Sequence, residues 1–393
     1  MTKADPNSYQ VVEEVPGLYG GIRLEERIIQ KIWNDEAILN SNLQTECGKK
    51  IIIDSPGKWN LDKEGPDFSN AKIFIDGRWT IGDVEIHFKK KHWKNHGHFS
   101  DPNYRRVILH VFLFPVAGED FQIENLDGIK IPNLFMLPYL LKGIEEYAEE
   151  YAVSNLVGEN LLSLSEKPKN IKNRILGYAQ SRWKQKLLFA QKRLHEGNWI
   201  DSCHQWFLEV MGYPRNRVPM HRLALRYPLQ DWQKGFDLHS TYEEEKGWRL
   251  RGMRPASQPL VRLMQYAELV KKRPEWPMEL LDMELLCSHL IGGEELFPKH
   301  IISHHRKSWI YEVLGGVFTG TRVDTVFIDA CLPLWAAKMK KDTFALWYSW
   351  PAGDFPKKFH EIAKAWNLSI RGKSVENGIM QALMMHFLVD RGR

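Results

Sequence analysis

The chain has 393 residues, 43% hydrophobic and 26% charged, which is too apolar for a disordered segment and long enough for about two or three domains of ~100–200 residues. Its net charge of +5, from 54 basic and 49 acidic residues, permits a nucleic-acid partner without requiring one. The sequence has no apolar run behind a basic start and no uninterrupted apolar stretch of about eighteen residues, so neither a signal peptide nor a membrane span is expected and the protein is placed in the cytoplasm.

In chain order, Leu24, Ile28, Ile29, Ile32 and Trp33 recur at three- and four-residue spacing and predict a helix over 23–38, with a break near Asn34-Asp35. Glu25 and Glu26 fall in its first turn, where the helix dipole favours acids; Glu25 is also a candidate partner for carboxylates further on. Ile51 to Ile53 predict a short strand, followed by a loop from Pro56-Gly57 to Gly65-Pro66. Ala71–Ile75 and Trp79–Phe88 predict two strands joined at Asp76-Gly77, a dipeptide that tolerates the positive φ of a type I′ hairpin turn. Val107–Phe114 is apolar on both faces apart from His110, as in a central buried strand, although a buried helical segment fits the same period.

Beyond about residue 135 the pattern changes. Leu140–Val153, Ile171–His195, Trp199–Met211 and Pro259–Lys272 carry helical spacing and little strand-like alternation. The expected organisation is an α+β domain over 1–135 and a mostly α-helical domain over 136–393. Cys47, Cys203, Cys287 and Cys331 lie far apart without a CxxC pair, which argues for reduced thiols rather than a zinc ribbon or a disulfide framework.

Chemistry concentrates between Asp67 and His110. Alternation along a strand puts Asp83, Glu85, His87 and Lys89 on one face, with Val84, Ile86 and Phe88 on the other, free to pack on the first helix. Asp67 precedes Glu85 by a span that one hairpin folds back, so the two carboxylates can share Mg²⁺ or Mn²⁺. The plainer alternative is a solvent-facing strand of alternating charge. His96-Gly97-His98, Asp101 and His110 offer ligands of the kind used for zinc or iron, set against a lone buried His110 held by a backbone partner. Lys89, Lys90, Lys91 and Lys94, with Trp93 among them, suit phosphate contacts and base stacking, or else form a solvated turn.

Gly65-Pro66-Asp67-Phe68, with Ala71 and then Gly82-Asp83-Val84-Glu85-Ile86-His87, resembles the PD-(D/E)-x-K nuclease superfamily over about residues 20–115. That resemblance implies a restriction-endonuclease-like mixed sheet with helices. It also implies Asp67 and Glu85 as ligands to Mg²⁺, the Ile86 carbonyl near the metal, and His87 where the superfamily has lysine. Lys89, on the same face, is the nearest substitute for that lysine. The longer pattern through His96-Gly97-His98, Asp101, Tyr104 and Val107–Val111 is similar to a bacterial family known only as a domain of unknown function. Gly212-Tyr213, Asn216, Pro219, Leu223-Ala224 and Arg254-Pro255 extend that similarity into the helical part.

Three functions follow. One is a Mg²⁺- or Mn²⁺-dependent nuclease using Asp67, Glu85, His87 and Lys89. Another is a zinc or iron hydrolase built on His87, His96, His98, Asp101 and His110, and the third is a non-catalytic protein that binds nucleic acid or protein.

Overall fold

The computed structural model describes residues 26–390, apart from 39–41, 62–63, 115–120, 142, 145, 149, 152–170, 213–215, 251–252, 286–296, 298 and 369–374. The chain forms two compact units, with the break between Tyr151 and Ala152.

The first unit opens with α1 (Glu26–Asn34), whose Ile28, Ile29, Ile32 and Trp33 are buried. The strands that follow are β1 (Ile51–Ser55), β2 (Lys58–Trp59), β3 (Phe68–Ile75) and β4 (Arg78–Lys89). β5 (Val107–Phe114) and β8 (Asn133–Phe135) complete a six-stranded sheet of order β1-β3-β4-β5-β8, with β2 paired to β3. Pairing is antiparallel from β1 through β3 to β4 and parallel from β4 through β5 to β8, which makes the sheet mixed. Between β5 and β8 lies a small antiparallel pair, β6 (Ile123–Glu124) with β7 (Lys130–Ile131). The β3–β4 turn has positive φ at both Asp76 (56°) and Gly77 (81°), the backbone that a type I′ turn requires.

Two departures from the sequence expectation matter for the site. The loop after Pro56-Gly57 contains β2, too short to leave a periodic signature. The lysine-rich segment after β4 is not simply a turn but a short helix, α2 (His92–Asn95). Trp93 anchors it, buried among Tyr104, Val107, Ile123 and Ile131, with its Nε1 donating to the Glu124 carbonyl at 3.1 Å.

Gly82 is fixed by packing. A Cβ there would sit 2.7 Å from the Arg106 carbonyl oxygen and would also clash with the Ile108 side chain, so only glycine lets β4 lie this close to the start of β5.

The second unit is helical. α3 (Ile171–Glu196), α4 (Trp199–Met211) and α5 (Arg217–Arg226) are followed by Pro259–Lys272 and further helices to Asn377–Asp390. Its core is rich in indoles, with Trp276, Trp309, Trp335, Trp347 and Trp350 all buried. Leu140–Val153 and Cys287 lie partly or wholly outside the described residues; Cys203 and Cys331 are buried free thiols and Cys47 is an exposed one. Among the described residues, no helix is long and apolar enough to cross a membrane.

Candidate metal centre

The β3–β4 hairpin brings Asp67, at its start, back to Glu85 in its second strand. The Asp67 amide donates to Glu85 Oε2 at 3.0 Å, and the Ile86 amide donates to Asp67 Oδ2 at 2.9 Å. Gln30 of α1 donates to Asp67 Oδ1 at 2.6 Å. Both Asp67 carboxylate oxygens are therefore engaged by the protein, and the aspartate in turn fixes Glu85.

The remaining oxygen, Glu85 Oε1, faces imidazole. It lies 3.3 Å from Nε2 of His87 and 3.3 Å from Nε2 of His98, and those two nitrogens are 3.3 Å apart. His87 reaches this point because it is two residues beyond Glu85 on the same face of β4. His98 arrives from a 3₁₀ turn (His98–Ser100) that begins at Gly97, whose φ of 74° reverses the chain after α2. The His98 ring is stacked on Tyr104 with centroids 3.8 Å apart. His96 is more exposed, but its ring lies 5.0 Å from that of His87, and ligand nitrogens of His87, His96 and His98 all fall within 4.8 Å of one another.

A second layer stands behind His87. Its Nδ1 is 2.9 Å from Nε2 of His110, whose Nδ1 is 3.0 Å from Asn133 Oδ1. All three side chains are buried.

Burial dominates the electrostatics. It raises Asp67 well above the usual carboxylate range, helped by the neighbouring Glu85 charge, and pushes Glu85 up to about 8 against the opposing Asp67 amide. Burial also lowers His87 well below its ordinary value, His98 to about 4 and His110 to about 3, so these imidazoles are neutral near pH 7. The Tyr104 phenol is raised by burial and by the Glu85 and Asp67 charges, and stays protonated.

A family described as a protein of unknown function, DUF2851, matches residues 26–243, more than half of the chain. The chain belongs to the DUF2851 family. No curated protein and no solved structure matches it. The DUF2851 match contains every residue of the cluster just described and runs on through α5 of the helical unit.

In this DUF2851 chain the carboxylates and the histidines, which the sequence offered as two rival sites, lie together in one cluster. Other predicted residues are placed elsewhere. Asp101 accepts from the Asn103 amide and caps the 3₁₀ turn Pro102–Tyr104, while its charge acts on His98 through space. Asp83 is buried and accepts from the Asn70 amide at 3.1 Å, holding the β3 bulge. His110 stands behind His87, apart from the triangle of donors.

The basic segment is not uniformly exposed. Lys90 is buried in an ion pair with Glu46 at 2.7 Å, and Trp93 is a core residue with no face left for a base, so the expected roles of both in nucleic-acid binding are set aside. Lys94 is exposed above the Phe121 ring, while Lys89 and Lys91 are half-buried.

Two residues near the carboxylates were missed. Glu25 lies outside the described residues, whereas its neighbour Glu26 reaches the Phe88 amide at 3.3 Å and His92 Nδ1 at 3.4 Å. With Gln30, four residues on, it forms a polar stripe, so α1 serves the carboxylates as well as the core. The stripe is visible in the spacing of 26 and 30. Asn133 carried no motif that could have found it.

Proposed function

We propose that this protein is a metal-dependent hydrolase of phosphodiester bonds in DNA or RNA, with Asp67, Glu85, His87 and His98 at its centre. The observation that carries this reading is the double engagement of Glu85: one oxygen accepts the Asp67 amide while the other is 3.3 Å from two imidazole nitrogens. A divalent cation held there would supply Lewis acidity toward a phosphoryl oxygen and an attacking water.

Further support comes from chain order. A helix (α1), a mixed sheet, a second helix (α2) and a further strand (β5) follow one another, in keeping with the mixed sheet with helices that the nuclease resemblance implies. Asp67 stands at the start of the hairpin and Glu85 in its second strand, also as implied.

His87, where that superfamily has lysine, is neutral and buried, so it brings a nitrogen ligand rather than a fixed charge. Positive charge for the phosphates comes instead from Lys89, Lys91 and Lys94 beyond it in the chain. Imidazole donors favour Fe²⁺ or Zn²⁺ over Mg²⁺.

The test is to strip the protein of metal and reload it separately with Mg²⁺, Mn²⁺, Fe²⁺ and Zn²⁺. Each form is then incubated with single- and double-stranded DNA and RNA. Cleavage by at least one ion-loaded form, reduced to background by Glu85→Ala, is expected. If no loaded form cuts any of the substrates, the reading falls.

A further inference from the structure

We infer that Asn133 and His110 are positioning residues for a tetrahedral transition ion of the Zn²⁺ class. In this arrangement they orient His87 so that its bare Nε2, together with Glu85 Oε1 and His98 Nε2, forms a three-ligand site. The inference rests on the reading above for the presence of a cation and adds to it the ion's class and the residues that select it.

The geometry gives the class. Four donors around an ion at ~2.0–2.1 Å in a tetrahedron are about 3.3–3.4 Å apart. Adjacent donors of an octahedron around Mg²⁺ at a similar distance are about 2.9–3.0 Å apart. All three donor separations here are 3.3 Å. Two nitrogens and one carboxylate oxygen with a fourth position left over is the composition of a catalytic zinc site, and a ligand nitrogen of His96 lies within 4.8 Å of those of His87 and His98.

The hydrogen bonds give the selection. Asn133 Oδ1 can only accept, so His110 donates to it from Nδ1. Neutral His110 then has its lone pair on Nε2 and accepts from Nδ1–H of His87. His87 in consequence carries no proton on Nε2, the atom that faces Glu85 and His98. A metal-ligating histidine needs this tautomer, and an acceptor on its far nitrogen both fixes the ring and raises its basicity. Because His110 and Asn133 are almost wholly enclosed, water cannot replace either one at low cost.

The test measures metal binding rather than cleavage. Metal-free wild type, Asn133→Leu, Asn133→Asp and His110→Phe are titrated with Co²⁺, a visible stand-in for Zn²⁺, and with Mg²⁺, while thermal unfolding without metal reports which variants fold. Wild type should bind one Co²⁺ per chain, with the visible band of tetrahedral coordination, in preference to Mg²⁺. Asn133→Leu should bind Co²⁺ about 10–100-fold more weakly. Asn133→Asp, which keeps an acceptor for His110, should bind like wild type, so a variant that folds poorly at His110 leaves the comparison at Asn133 intact.

Unchanged Co²⁺ affinity in folded Asn133→Leu would overturn the relay. Mg²⁺ bound in preference to Co²⁺ would overturn the ion class. Co²⁺ binding that depends on Asn133 in a protein that cuts no substrate would leave this inference standing and remove the hydrolase, whereas Mg²⁺-supported cleavage indifferent to Asn133 would do the reverse.

Discussion

A carboxylate as enclosed as Glu85, facing two imidazole nitrogens, is stable when it holds either a proton or a cation. This makes metal-free stability pH-dependent in a direction that can be worked out. Glu85 has a folded pKa of about 8 against 4.5, so its contribution is full below about pH 4.5 and is lost as pH rises toward 8. His87, His98 and His110 have lowered values, so their contribution is present above about pH 6.5 and lost as pH falls. Between pH 6.5 and 8 the folded histidines stay neutral while the unfolded ones lose their remaining protons, which offsets part of the loss from the carboxylates. Metal-free wild type should lose about 2 kcal/mol from Glu85 across that interval, and Glu85→Gln should flatten the slope; urea unfolding at pH 6.5, 7.2 and 8.0 measures both. An equal slope in the variant would place the proton elsewhere. Trp93 offers a second discrimination at this scale, between a binding residue and a core residue. Trp93→Ala should cost about 3–5 kcal/mol of stability, whereas Lys94→Ala should cost at most about 1 kcal/mol and lower nucleic-acid binding in a salt-dependent way. Denaturation and binding measured on the same two variants separate these effects.

At the scale of elements, the centre depends on how β4 lies against β5. Gly82 sets that approach, and three residues later the same strand delivers Glu85, in register with His110 of β5. Gly82→Ala should therefore cost about 1–3 kcal/mol and also weaken metal binding, because moving β4 displaces Glu85 and His87 relative to His110. A variant that loses stability but binds Co²⁺ like wild type would show that the strand relaxes without disturbing the ligands. The hairpin and β5 were legible in the sequence because alternation, an Asp-Gly turn and an unbroken apolar run are local signals. The helical stretches 171–195, 199–211 and 259–272 were legible for the same reason, at period 3.6. What stayed hidden was set by contacts distant in sequence. β2 and β8 are two and three residues long and exist only through pairing with β3 and β5. α2 is held by the burial of Trp93, and a tryptophan within a run of lysines reads equally well as exposed. The site itself was half legible: the carboxylates and histidines could be named, but their merging at Glu85 Oε1 depends on the His98 turn, and the support of His110 depends on Asn133.

At the scale of the molecule, every residue assigned to the centre lies in the first compact unit, while the second contains the larger aromatic core. The second unit has its own buried ionic knot. Glu209 of α4 receives Arg193 of α3 at 2.7 Å and Arg217 of α5 at 2.6 Å. Removing the carboxylate would take away the shared counter-charge of two largely buried guanidinium groups, which costs more than the intact network contributes. Glu209→Ala should thus destabilise the helical unit by about 3–5 kcal/mol without changing the Co²⁺ affinity of folded protein. Two unfolding steps, with only the one insensitive to Co²⁺ moved by the substitution, would make the units energetically separate and confine the helical unit's part in function to substrate or partner contacts. A single transition that Glu209→Ala and Co²⁺ both move would instead couple them, and the helical unit would then contribute to the stability of the candidate metal centre.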